Sequence, residues 1–191
     1  VGFLPTVLFR PEDVEIVGGS PDGRRKLVDR LLLQVDAIYK NSLMTYEHAL
    51  KRRNKILDGI RDGAMTRYAL TFWDGLLIKH GGIIQEKRRE LVAFMNDLFG
   101  RSEMFNKVKL ELQSSSISEA RLEQYKEAEV SVGYTLVGPH KDDLSILEGS
   151  RNLATYGSGG EKRMAMLAFK MGEIYFLEKH GENKSLLLLD D

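Results

Sequence analysis

The spacing of apolar residues changes along the chain, and each change predicts a different element. Phe3-Leu4-Pro5-Thr6-Val7-Leu8-Phe9 is a short apolar run rich in β-branched and aromatic residues, which predicts a strand. Gly18-Gly19 supplies a turn, and Ser20 followed by Pro21 supplies an N-cap with proline at the first helical position, so a helix is expected to start there. From Leu27 the positions Val28, Leu31, Leu32, Val35, Ile38, Tyr39, Leu43, Tyr46, Ala49 and Leu50 recur every three or four residues, which predicts one long amphipathic helix ending near Leu57, before Gly59. A second run, Met65, Tyr68, Phe72, Trp73, Leu76 and Leu77, leads through Gly81-Gly82 into a third, Ile84, Leu91, Phe94, Met95 and Leu98. The glycine pair is compatible with one kinked helix or with two helices.

Beyond Gly100 the period shortens. Val108 to Leu112 alternates as a strand does, Ser118 opens a short polar helix, and Thr135 to Val137 and Leu144 to Leu147 are strand candidates. Glu161 to Lys179 is helical again, with Met164, Leu167, Ala168, Met171, Ile174 and Tyr175 on its apolar face. Ser185 to Leu189 is a short, wholly apolar strand of the kind usually buried on both faces of a parallel sheet. The expected organisation is a head segment over residues 1–20, a helical domain of antiparallel helices over 21–101, and α/β material over 102–191.

With 191 residues and 42% hydrophobic content, the chain is long enough for one good core or two modest ones and too apolar for disorder. It contains no apolar run of membrane-spanning length and its first residues do not read as a signal peptide, so a cytoplasmic location is expected. The absence of cysteine excludes disulfides, thiolate metal sites and a cysteine nucleophile, and the 4 scattered histidines do not form a zinc-binding pair. The formal charge is zero but unevenly spread: residues 21–101 sum to +6, residues 1–20 to −2 and residues 102–191 to −4.

Candidate chemistry lies near the end. In Tyr156-Gly157-Ser158-Gly159-Gly160-Glu161-Lys162-Arg163, glycines beside a serine immediately precede a helix, where backbone amides and the helix dipole favour an anion such as a phosphate. Alone, such a turn is ordinarily just a helix start. One helix later comes Leu186-Leu187-Leu188-Leu189-Asp190-Asp191, the pattern of a Walker B strand. Its first carboxylate serves a magnesium ion, and its second sits where a base orients the attacking water. Turn, helix and strand in this order and spacing seldom coincide by accident.

The combination resembles the ABC-type heads of the SMC and RecF families of chromosome-maintenance and repair ATPases. Within that group the chain is most similar to the RecF family. The likeness rests on Leu4-Pro5-Thr6-Val7-Leu8-Phe9-Arg10-Pro11-Glu12-Asp13, on Gly19-Ser20-Pro21 with Arg24-Arg25 and Asp29, on Leu50-Lys51-Arg52-Arg53-Asn54, and on Thr135-Leu136-Val137-Gly138-Pro139-His140-Lys141-Asp142-Asp143.

The resemblance implies a fold that is α/β plus helical: part of an ABC-type ATPase head, without its Walker A portion, carrying an inserted antiparallel helical arm. It implies that Ser158, Gly159, Gly160 and Glu161 form the signature motif and contact the γ-phosphate of ATP bound to a second subunit. Asp190 would serve Mg2+, and Asp191 would take the position of the catalytic carboxylate. Phe9 to Asp13 falls where relatives place the Q-loop, without a glutamine. The implied partners are DNA, an ATP-dependent second copy, and RecO and RecR, in recombinase loading at gaps within the bacterial cytoplasm and nucleoid. No Gly-x-x-x-x-Gly-Lys-Ser/Thr occurs, so the chain is expected to be an internal piece of a slow, DNA-dependent ATPase and inactive alone.

Other readings compete at each point. The basic triplets Arg24-Arg25-Lys26, Lys51-Arg52-Arg53 and Lys87-Arg88-Arg89 could line a DNA-backbone surface, or could be solvated, salt-bridged helix faces, since adjacent helical residues point about 100° apart. His140, Asp142 and Asp143 could form a catalytic or metal cluster, but charged turn residues are ordinarily solvated. The whole could be a non-catalytic helical interaction module with structural remnants of a nucleotide site. An ABC transporter ATPase is disfavoured by the long helical insertion and by Glu161 where transporters carry glutamine.

Overall fold

The computed structural model describes residues 6–181 and 184–190. Its elements are β1 (Thr6–Phe9), the short helix α1 (Glu15–Gly18), α2 (Pro21–Val35), α3 (Ala37–Arg61), α4 (Thr71–Gly100), β2 (Val108–Gln113), α5 (Glu119–Val132), β3 (Asp143–Glu148), β4 (Arg151–Asn152), the short helix α6 (Leu153–Tyr156), α7 (Gly159–His180) and β5 (Leu186–Leu189). They fall into two compact units. One comprises residues 1–35, 88–113 and 143–191, and the other residues 36–87 and 114–142. The boundaries expected from the sequence, after residues 20 and 101, differ from these. Helix α2 and the second part of α4 join the sheet-bearing unit, while α5 joins the helical one.

In the sheet-bearing unit β1 and β5 pair in parallel, Thr6 opposite Leu186 and Phe9 opposite Leu189. A separate antiparallel sheet has the order β2-β3-β4. Parallel pairing of β5 matches the expectation, but burial on both faces does not: Leu186, Leu188 and Leu189 are exposed among the described residues. The cause is that β1 is the only described strand beside β5. Helix α7 buries Ala165, Met166, Ala168, Phe169, Phe176 and Leu177, whereas Met164 and Tyr175, expected on the apolar face, are exposed. It packs on β1, α1 and α2, and Gly172 allows a close approach, because a Cβ there would lie 3.3 Å from the side chain of Met95.

The helical unit contains α3, the first part of α4, and α5. The single helix expected from Pro21 to Leu57 is broken. Asp36 adopts extended backbone (φ −123°, ψ 102°) and its carboxylate accepts from the Tyr39 amide, so it caps α3. Periodicity does not register one residue leaving the helical basin when the apolar stripe resumes in phase, and an aspartate at that point stabilises the break. Gly81-Gly82, by contrast, does not divide α4, which is a single helix of 30 residues. Gly81 serves packing: a Cβ would come within 2.8 Å of Ile117 and 3.1 Å of Tyr46.

Thr135 to Val137 is not a strand. Its backbone donors are taken by side chains, the Thr135 amide by Asn54 Oδ1 at 2.9 Å and the Leu136 amide by Glu129 Oε1 at 2.8 Å, so a β-ladder has no call on them. Among the described residues no helix is long and apolar enough to cross a membrane.

Candidate functional site

The turn before α7 is set by its own residues. Ser158 is the N-cap, its Oγ accepting from the Glu161 amide at 3.3 Å, and Glu161 Oε2 accepts from the Ser158 amide at 2.7 Å. This reciprocal pair is a capping box, which the Ser-x-x-Glu spacing encodes directly. Gly159 and Gly160 are the first helical residues, and their amides take no acceptor among the described residues. A Cβ on either glycine would meet nothing within 4 Å. The fold of this chain therefore does not require glycine at these positions, which lie at an open helix N-terminus. Gly157 is different, because a Cβ there would lie 2.6 Å from the Leu153 carbonyl oxygen.

Glu161 also accepts from Arg151, which reaches back from β4 at 2.5 Å and bonds Glu148 at 2.9 Å. The Ser158 amide, the Arg151 guanidinium and the Ser158 hydroxyl together hold the Glu161 carboxyl down at about 2, so it is an anion throughout the physiological range. Nothing in the sequence singled out Arg151; a lone arginine ten residues before the motif carries no periodic or motif signal.

Asp190 follows β5, its amide donating to the Phe9 carbonyl at 3.0 Å and extending the parallel pairing by one step. Its side chain is exposed. Asp191, expected as the catalytic carboxylate, lies outside the described residues. Along the chain the turn at Ser158 comes just before α7 and Asp190 just after β5.

The Phe9 to Asp13 segment turns inward. Asp13 is buried and pairs with Lys170 Nζ at 3.2 Å, and Lys170 also meets Glu173 at 3.4 Å. These three side chains, with Arg10 and Arg30, line a cavity of about 230 Å³ beside β1. Burial pushes the Glu173 carboxyl up, against the opposing pull of Lys170. A lysine and a glutamate three apart on a buried helix face were the only sequence sign of this cluster.

The basic triplets do not act as units. Arg24 is buried and clasps Asp143 with two hydrogen bonds of 2.9 and 2.8 Å. Arg53 is buried against Asp74, Thr135 and Glu129. Arg88 is buried and bonds both oxygens of Asp29. These three are corrected from DNA-contact candidates to internal charge partners, because a desolvated guanidinium is retained only when its donors are satisfied inside. Arg25 and Lys26 pair with Asp22, and Lys87 with Asp36. Lys51, Arg52 and Arg89 are exposed.

The His140 region is likewise structural rather than solvated. Asp142 is fully buried, accepting from the Ser115 amide and from Gln85 Nε2. His140 Nε2 lies 3.1 Å from the Thr135 carbonyl oxygen, which only accepts, so Nε2 carries the proton; Nδ1 faces the Tyr46 hydroxyl at 2.7 Å. Among the described residues no group of three or more His, Cys, Asp or Glu side chains is arranged to hold a metal ion.

No family model matches the chain. Individual proteins do. It is 32% identical over 198 residues to the DNA replication and repair protein RecF of Lachnoclostridium phytofermentans, and 35% identical over 214 residues to that of Roseiflexus castenholzii, all of the chain being covered in both. Two solved structures of the recombination mediator protein RecF of the RecFOR pathway, with ATP and with ATPγS, superpose on all of it with a TM-score of 0.86 at 30% identity. The chain belongs to the RecF family. It spans 55% and 54% of the length of those two curated relatives, and 55% and 56% of the two solved chains. Its fold is accordingly part of an ABC-type ATPase head with a helical arm, as the sequence led us to expect.

Proposed function

We propose that this chain supplies the signature half of an ATP site in a RecF-like DNA-repair ATPase, closing over nucleotide held by a second subunit. The carrying observation is the turn at Ser158: two acceptor-free amides at an open helix N-terminus, on glycines that the chain's own packing does not need. A γ-phosphate oxygen presented there would meet the Gly159 and Gly160 amides, the Ser158 hydroxyl and the positive end of the α7 dipole. The RecF structures with ATP and ATPγS support nucleotide as the ligand class.

Asp190 fits the role of magnesium ligand in one respect, as an exposed carboxylate at the end of a parallel strand, the hard oxygen donor that Mg2+ selects. When bound, the ion would neutralise phosphate charge; Asp191 would orient the attacking water. Phosphate-cradling residues of the Walker A type are not in this sequence, so the reading assigns them elsewhere. DNA contact, on this reading, falls to exposed Lys51 and Arg52 on α3 and to Arg89 on α4, through the backbone rather than base edges. The assembled protein would act with RecO and RecR in loading recombinase at gaps.

The test is Ser158→Arg in the full-length protein, read by sedimentation with ATPγS. The expected result is loss of nucleotide-dependent dimerisation with ATP binding retained. A dimer that still forms would remove the signature assignment.

A further inference from the structure

The signature turn has a carboxylate at its third helical position, an awkward neighbour for a phosphate. Glu161 is ionised, half-buried and one residue past the two open amides. Unpaired, it would repel the incoming anion. Arg151 reduces that repulsion. Its guanidinium lies 2.5 Å from Glu161 Oε1 while anchored at 2.9 Å to Glu148, at the end of β3. It thus joins the edge of the antiparallel sheet to the first turn of α7.

Building on the signature reading above, we infer that Arg151 is a positioning residue for nucleotide-dependent closure: by pairing with the Glu161 carboxylate from the sheet edge, it offsets the charge that would otherwise oppose an incoming phosphate. Arg151 does not itself touch nucleotide in this scheme. Arg151 reaches Glu148 Oε2 and Glu161 Oε1 through the same nitrogen, Nη2, so one end of the guanidinium spans both carboxylates. One guanidinium lies between two carboxylates, so the set keeps one net negative charge with Arg151 in place and two without it.

The inference distinguishes charge compensation from simple bracing. In the full-length protein, Arg151→Ala is expected to weaken ATPγS-dependent dimerisation by roughly tenfold, the scale on which unpairing one charge at a closing interface acts. Adding Glu161→Gln to that variant should restore it, because the amide still accepts from the Ser158 backbone yet carries no charge. Arg151→Gln is measured in parallel, so that a folding defect peculiar to alanine does not decide the matter, and unchanged melting and ATP binding are required of each variant. Weakening without rescue by Glu161→Gln would show that Arg151 only braces the sheet against α7 and would overturn the inference. Undiminished dimerisation in both Arg151 variants would overturn it too. In either case loss of dimerisation in Ser158→Arg would leave the signature reading standing, whereas a Ser158→Arg dimer would remove both.

Discussion

Arg53 in the helical unit and Arg151 in the sheet-bearing unit each bridge two carboxylates, and the contrast between them separates charge sealed inside the fold from charge that water still reaches. Arg53 leaves 3% of its side chain exposed and meets Asp74 at 2.6 Å and Glu129, itself fully buried, at 2.7 Å. Arg151 leaves 53% exposed and meets Glu148 and Glu161 beside an open helix N-terminus. The distances are similar; the solvent is not. Where water is excluded, removing one partner strands the other without compensation, and where water has access it replaces the lost partner at little cost.

The widest gap between the two regions should appear on truncating each arginine. Arg53→Ala is expected to destabilise the protein by about 3–5 kcal/mol in denaturant unfolding, because Glu129 and Asp74 lose their cation while buried or half-buried. A loss near zero would mean that water reaches the site. Arg24→Ala stands between the extremes, since Asp143 keeps partial solvent contact; a loss of about 1–3 kcal/mol is expected.

Glu173 tests the comparison with the opposite sign. Its folded pKa is raised above the ordinary 4.5 by burial, so its contribution to stability is fully present below that value and is lost as pH rises through the folded pKa. Glu173→Gln keeps an acceptor for Lys170 and removes the charge. Its unfolding midpoint should exceed that of the native protein most at pH 7, with the difference shrinking towards pH 4.5; a lower midpoint at pH 7 would show that attraction to Lys170 outweighs burial. The smallest effect belongs to Arg151→Ala, whose melting temperature should match that of the native protein, because water reaches Arg151 and both of its half-buried partners. A clear drop would erase the distinction between the two regions.

The capping box at Ser158 was legible because it is local: the N-cap and third helical position lie on one stretch of chain, and Ser-x-x-Glu fixes their bonds whatever surrounds them. The parallel strand ending at Asp190 was legible for a similar reason, a short apolar run at αβ spacing from a helix. Failures came where an apolar stripe ran through a local cap, or where a distant partner decided. Asp36 breaks a helix whose apolar stripe continues through it, and Thr135 to Val137 has strand composition but gives its amides to Asn54 and Glu129.

The basic triplets show the same division most plainly. Composition located them and gave residues 21–101 their positive charge, but Arg24, Arg53 and Arg88 turn inward to Asp143, Glu129 and Asp29. Sequence alone therefore determined the family, the class of fold, the starts of α2 and α5, and the order of glycine-rich turn, helix and acidic strand end, because motifs, caps and periodicity act over a few residues. Tertiary structure alone decided which charges are buried, that Gly81 exists for packing while Gly159 and Gly160 do not, and that Arg151 meets Glu161. Those outcomes depend on desolvation and on approaches between segments far apart in the chain, which a linear pattern does not record.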